Sequence, residues 1–147
     1  MINLARMAIL LSLCGLPAAL AGGQKSAEPL KTTVCEIAKN PQAFDGKLLE
    51  VHAQVQSGIE DLPAGLNDDS CVAELKFYMP DDVRFTRLVK SKEFRKLTKE
   101  LRRNPIVEAT AIGWFKLLGT SQKPVPALAL EEVRDIVVKP LPKYRGP

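Results

Sequence analysis

The chain has little of what marks most enzymes and nucleotide binders. It carries one histidine, His52, and one tryptophan, Trp114. Nucleophilic catalysis needs a base held beside the nucleophile. His52 stands near Gln54 and Gln56 on what reads as the wet face of a strand, which favours a surface histidine over a general base. No G-x-S-x-G elbow is present to expose a serine, and neither G-x-x-x-x-G-K-[ST] nor G-x-G-x-x-G occurs to cradle phosphates. The usual sequence support for serine hydrolysis, nucleotide hydrolysis and dinucleotide binding is therefore missing. Aromatic residues make up 5% of the chain. The pattern commits Phe44, Phe77 and Phe94 to a core, so little remains of the stacking platform that single-stranded nucleic acid needs.

Long apolar runs are also lacking. The uncharged stretch from Met7 to Leu16 is too short to cross about 30 Å of hydrocarbon. It reads instead as the core of a secretory signal peptide over residues 1–21. Arg6 supplies the positive start, Pro17 breaks the helix, and Ala19-Leu20-Ala21 gives the small-x-small cleavage pattern. Cys14 raises lipid attachment as a rival, but Leu13 stands where a small residue would precede a lipidated cysteine. Cleavage after Ala21 removes Cys14 and leaves Cys35 and Cys71. An even count in an exported chain favours a disulfide over free thiols. The pair lacks both the C-x-x-C spacing of a redox motif and the further ligands of a zinc site. The expected compartment is periplasmic or extracellular, with no transmembrane segment after cleavage.

What is present is a β-rich pattern. Residues 22–32 read as a polar linker. Thr33 and Glu36 form a capping box for a helix from Val34 to Lys39, stopped by Asn40-Pro41. After the Asp45-Gly46 turn, Leu49, Val51, Ala53 and Val55 alternate with Glu50, His52, Gln54 and Gln56, which predicts a strand with one buried face. Ser57 to Ser70 reads as a loop. A second strand is expected from Cys71 to Tyr78, with Ala73, Leu75 and Phe77 inward, stopped by Pro80-Asp81-Asp82. Ser91 caps a second helix carrying Phe94, Leu97 and Leu101, which ends at Asn104-Pro105. Two further strands, Ile106 to Leu117 and Ala127 to Val138, flank a Gly119 to Pro126 turn, with a bulge expected at Glu131-Glu132. The tail, residues 139–147, reads as extended coil.

This order predicts a mainly β domain over residues 33–138 with two helices, arranged as an OB-like, partly open antiparallel barrel. An α+β sandwich is the alternative. One strand of that barrel is unaccounted for, hidden either in the Ser57 to Ser70 loop or in the bend of a long strand. Several segments carry a resemblance: Val34-Cys35, Asn40-Pro41, Phe44-Asp45-Gly46-Lys47, the Glu60 to Cys71 loop, and Leu130-Glu131-Glu132-Val133-Arg134-Asp135. In these the chain resembles a group of small exported bacterial proteins of unassigned function. In architecture it is similar to periplasmic OB-fold proteins linked to stress tolerance. The resemblance implies an OB-like domain with a cysteine pair and brings no catalytic residues.

Charge is the asymmetric feature. Residues 84–103 hold nine lysines and arginines against Glu93 and Glu100. Arg95, Lys96, Lys99, Arg102, Arg103 and Lys92 fall opposite the apolar stripe of the second helix. A solvated helix face is the plain interpretation; contact with an anionic polymer or a membrane surface is the sharper one. Glu60-Asp61, Asn67-Asp68-Asp69 and Asp81-Asp82 read as turn formers ahead of calcium ligands. No metal and no cofactor are expected. Trp114 and Tyr78 lie on the outer phase of their strands, where they can form a small ligand face. The functional expectation is a non-enzymatic binding or interaction module for an unknown ligand or protein partner, not for nucleic acid. The alternative is an envelope-associated structural protein that uses its basic helix.

Overall fold

The computed structural model of the chain describes residues 27–79, 83–104 and 106–140. The expected signal peptide, Cys14, the Pro80-Asp81-Asp82 stop and most of the tail lie outside these residues. The elements in chain order are β1 (Leu30–Thr32), α1 (Val34–Lys39), β2 (Leu48–Ser57), β3 (Pro63–Asp68), β4 (Ala73–Tyr78), α2 (Val83–Lys90), α3 (Lys92–Leu101), β5 (Val107–Thr120) and β6 (Lys123–Val138).

Local chemistry fixes the helices. The Thr33 hydroxyl accepts from the Glu36 N–H (3.1 Å), and the Glu36 carboxylate accepts from the Thr33 N–H (3.2 Å). This reciprocal cap pairs two donors that the first helical turn leaves free. Those bonds, together with one from the Thr32 hydroxyl, hold the Glu36 carboxyl below the ordinary carboxylate range, the Thr32 bond contributing most. Ser91 caps α3 by accepting from the Phe94 N–H at 3.1 Å. Phe94, Leu97 and Leu101 are then buried on one side of that helix.

The six strands form one mixed sheet in the order β1-β2-β3-β4-β6-β5, and a further pairing of β5 with β2 closes it into a ring. Inside the ring lie Leu49, Val51, Leu66, Leu75, Val107, Phe115 and Leu128, all 0% exposed. Each such side chain contributes about 1.5–3 kcal/mol when moved out of water. Val34, Ile37 and Leu88 join them from the helices, beside the stripe of α3. The predicted alternation of β2 holds: Leu49, Val51, Ala53 and Val55 are buried, and His52 is exposed.

Four expectations need correction. The Ser57 to Ser70 loop contains β3, which supplies the strand missing from the sequence reading. Its alternation is masked by Pro63, Gly65 and Asn67-Asp68. Pro63 occupies the first strand position, where a missing N–H is tolerated. A Cβ at Gly65 would lie 2.5 Å from the Leu75 carbonyl oxygen, so β3 meets β4 there only as glycine.

The sheet is not purely antiparallel. β1 runs parallel to β2 and β4 parallel to β6, because α1 lies between the first pair and α2, α3 and β5 between the second. Three α-helices replace the expected two among the described residues. The apolar side of α2 is thin, with Leu88 its one buried residue, so Arg84 and Arg87 obscure its period. Finally, the expected linker gives way to a strand at Leu30.

The expected bulge is present. Ile112 pairs with Glu132 and Gly113 with Leu130, which leaves Glu131 as the extra residue. The inward face of β6 thereby moves from Leu128 and Leu130 to Val133. A Cβ at Gly113 would run into the Ala129 carbonyl oxygen, so the strands close up around the bulge only with glycine there.

Candidate ligand cleft

Pairing register brings together residues far apart in the chain. Tyr78 of β4 pairs with Ala129 of β6, and Ala129 pairs with Trp114 of β5. One step along, Lys76 pairs with Ala127 and Ala127 with Lys116. Strand side chains alternate between faces. The intervening Leu128 and Phe115 point into the core with no exposure, so these two rows share the outer face. The result is a trough floored by Ala129, with Tyr78 on one wall and Trp114 and Lys116 on the other.

A cleft of about 360 Å³ opens here, lined also by Gly46, Arg84, Leu130 and Glu131. Arg84 Nη1 donates to Glu131 Oε1 at 3.0 Å, linking the first turn of α2 to the bulge. The extra residue of β6 thus places a carboxylate at the cleft. The opposite rim is fixed by the Asp45-Gly46 turn. Gly46 N–H donates to the Phe115 carbonyl (3.0 Å) and Leu117 N–H to Asp45 Oδ1 (3.1 Å). Phe44 packs edge-on against Phe115 beneath it, with ring centres 6.5 Å apart.

Tyr78 is exposed and Trp114 half-buried, so both rings keep accessible surface. Their Cα atoms are two strand spacings apart, about 10 Å. A flat ring between two neighbours needs roughly 7–8 Å, twice the contact distance of carbon atoms. The small Ala129 side chain leaves that space open. Lys76 is ion-paired with Glu74. Lys116 has no carboxylate partner among the described residues, although its row lies beside both aromatics.

The sequence singled out Tyr78 and Trp114, and the structure sets them on either side of one residue. It did not point to Ala129, Lys116, Arg84 or Glu131. The parallel β4–β6 pairing that joins them has no local signature. The available hint was Ala127 and Ala129 at every second position between leucines, a small outer face on a strand.

The other singled-out residues lie elsewhere. Cys35 and Cys71 are joined, with sulfurs 2.08 Å apart and Cα atoms 5.8 Å apart, tying α1 to the turn before β4. Such a bond suits an oxidising compartment. Asp68 lies close to the two sulfurs, but a disulfide offers no thiolate to a metal. Asp68 instead accepts from the Ser70 hydroxyl (2.6 Å) and N–H (2.9 Å). The hydroxyl bond is the main reason that its carboxyl is held below the ordinary value.

His52 Nδ1 lies 3.0 Å from Thr110 Oγ1, and its Nε2 lies 3.5 Å from Glu108. Alongside runs a charged row in which Arg134 donates to Glu50 at 2.8 Å and Lys139 to Glu108 at 3.0 Å. The Glu50 bond raises the Arg134 pKa above its already high ordinary value.

On α3 and just beyond it, Lys92, Arg95, Lys96, Lys99, Arg102 and Arg103 are all exposed, opposite the buried stripe. Lys92, Arg95, Lys96, Lys99 and Arg103 have no carboxylate partner among the described residues. Among those residues no helix is long and apolar enough to cross a membrane. The chain matches no protein-family model and no curated protein.

Proposed function

We propose that the chain is an exported, non-enzymatic OB-like module that binds a small ligand in the trough between Tyr78 and Trp114. The row Tyr78–Ala129–Trp114 carries this reading. Two aromatic walls over an alanine floor give an open slot of the size and mixed polarity of small-molecule sites. The OB-like assignment is supported by a ring of five strands, a helical segment between its third and fourth members, and the parallel β4–β6 pair. The resemblance to small exported bacterial proteins, carried by segments such as Val34-Cys35, Phe44-Asp45-Gly46-Lys47 and the Glu60 to Cys71 loop, implies the same architecture. Export is supported by the leader pattern of residues 1–21 and by the disulfide.

Filling the slot is the direct test. Ala129→Leu places a larger side chain on the outer floor and leaves the inward residues untouched. Its thermal unfolding should stay close to that of wild type. In wild type, some members of a fragment set spanning sugars, amines and aromatic acids should shift the single indole N–H resonance, that of Trp114. The same members should leave that resonance unmoved in Ala129→Leu. If no fragment moves it in wild type, the cleft is not a ligand site.

The unpaired cations of α3 favour a second reading, an envelope-associated structural protein that rests on an anionic membrane surface. Wild type should then sediment with phosphatidylglycerol vesicles at low salt and be released as the screening length falls below about 10 Å. The Lys96→Glu/Lys99→Glu/Arg103→Glu variant should remain folded and in the supernatant. Equal retention of the two proteins would reduce this face to a solvated helix surface.

A further inference from the structure

Resting on the cleft reading above, we infer that the ligand of the trough is a flat ring bearing an anionic group, such as an aromatic carboxylate. Shape supplies the ring. Tyr78 and Trp114 stand about 10 Å apart at their Cα atoms, and Ala129 between them keeps the gap free at its base. A planar body can occupy that gap with a face toward each aromatic ring, an arrangement in which π-systems attract. A bulky, branched body cannot enter it.

Charge supplies the anion. Three ionic groups line the trough, and two of them, Arg84 and Glu131, engage each other. Lys116 is left, two residues from Trp114 on the same face and with no carboxylate partner among the described residues. A ring lying between the aromatics places a substituent pointing down the trough toward the Lys116 ammonium. A carboxylate there completes an ion pair, whereas a cationic group at that position meets the Lys116 ammonium. The ring is thus selected by the first row and the sign of its substituent by the second.

The experiment uses 2-naphthoate and its neutral planar isostere 2-naphthamide, each titrated into the full mature chain while the Trp114 indole N–H is followed by NMR. Naphthoate should bind about fivefold more tightly than the amide, the worth of one partly exposed ion pair. That preference should disappear in Lys116→Met and shrink at high salt, while the amide affinity stays unchanged. Trp114→Phe, followed through neighbouring amides, should weaken both probes alike. Equal affinities of the two probes in wild type would overturn the anion assignment and leave the cleft reading intact. So would binding of neither probe alongside binding of another fragment. Silence to every probe and every fragment would overturn both.

Discussion

Replacing Val51 with aspartate is expected to leave no folded protein under conditions where the wild-type chain is native. Val51 is 0% exposed, faces the ring interior from the middle of β2, and pairs with Ala111 of β5. A carboxylate there has no partner and no water, which costs several kcal/mol. The whole stability of a domain is about 5–15 kcal/mol. The adjacent position should behave oppositely. His52 is exposed, and its ring meets the Thr110 hydroxyl at 3.0 Å and, more loosely, Glu108 at 3.5 Å. His52→Ala should therefore cost no more than about 1 kcal/mol. Circular dichroism and urea midpoints of the two variants decide the matter. A folded Val51→Asp beside an unfolded His52→Ala would mean that β2 is registered one residue away, with every side chain on the opposite face.

The second large effect is expected from the cysteines. Removing the bridge with Cys35→Ser/Cys71→Ser should destabilise the domain by about 4 kcal/mol, the chain-entropy value for a loop of this length. The joined residues are 36 apart, and the loop they close contains all of β2 and β3. That enclosed segment is free to spread in the unfolded chain once the bond is gone. Native contacts around α1 stay in place, because Val34 and Ile37 make the buried contacts and the two cysteines are only half-buried. The loss should appear in the urea midpoint, and wild type should lose the same stability on reduction. Intact wild type should also weigh two hydrogens less than its reduced form. An unchanged midpoint in the double variant would mean that the bridge constrains nothing.

The parts legible in the sequence were those written in local chemistry. The Thr33–Glu36 box, the alternation of β2, the Ser91 cap with its three-residue stripe, and the irregular Glu131-Glu132 step each depend on neighbours within a few positions. What stayed hidden depended on distant partners. β3 carries Leu66 as its one large aliphatic inward residue, and its remaining positions are shaped by close approach to β4. β1 is three residues long and exists because β2 lies beside it. The candidate site was half legible for the same reason. Outer phase along one strand identified Trp114 and Tyr78 separately, but their meeting across Ala129 depends on a parallel pairing formed after two helices and a hairpin intervene.

Ring closure also bears on how the protein resists sticking to itself. A sheet recruits foreign strands through unpaired edges, and two of the edges left here are guarded. β1 is short and carries Lys31. The hairpin tip formed by β5 and β6 extends past the strands beside it, and there β6 carries Pro124 and Pro126, which cannot donate to an incoming strand. The exposed position is instead internal, at the β2–β5 seam from Leu48 to Gln54. If that seam parts before the rest of the fold, two apolar-faced strands become templates at once. Opening of the ring would therefore add two strand templates to those that the native surface presents.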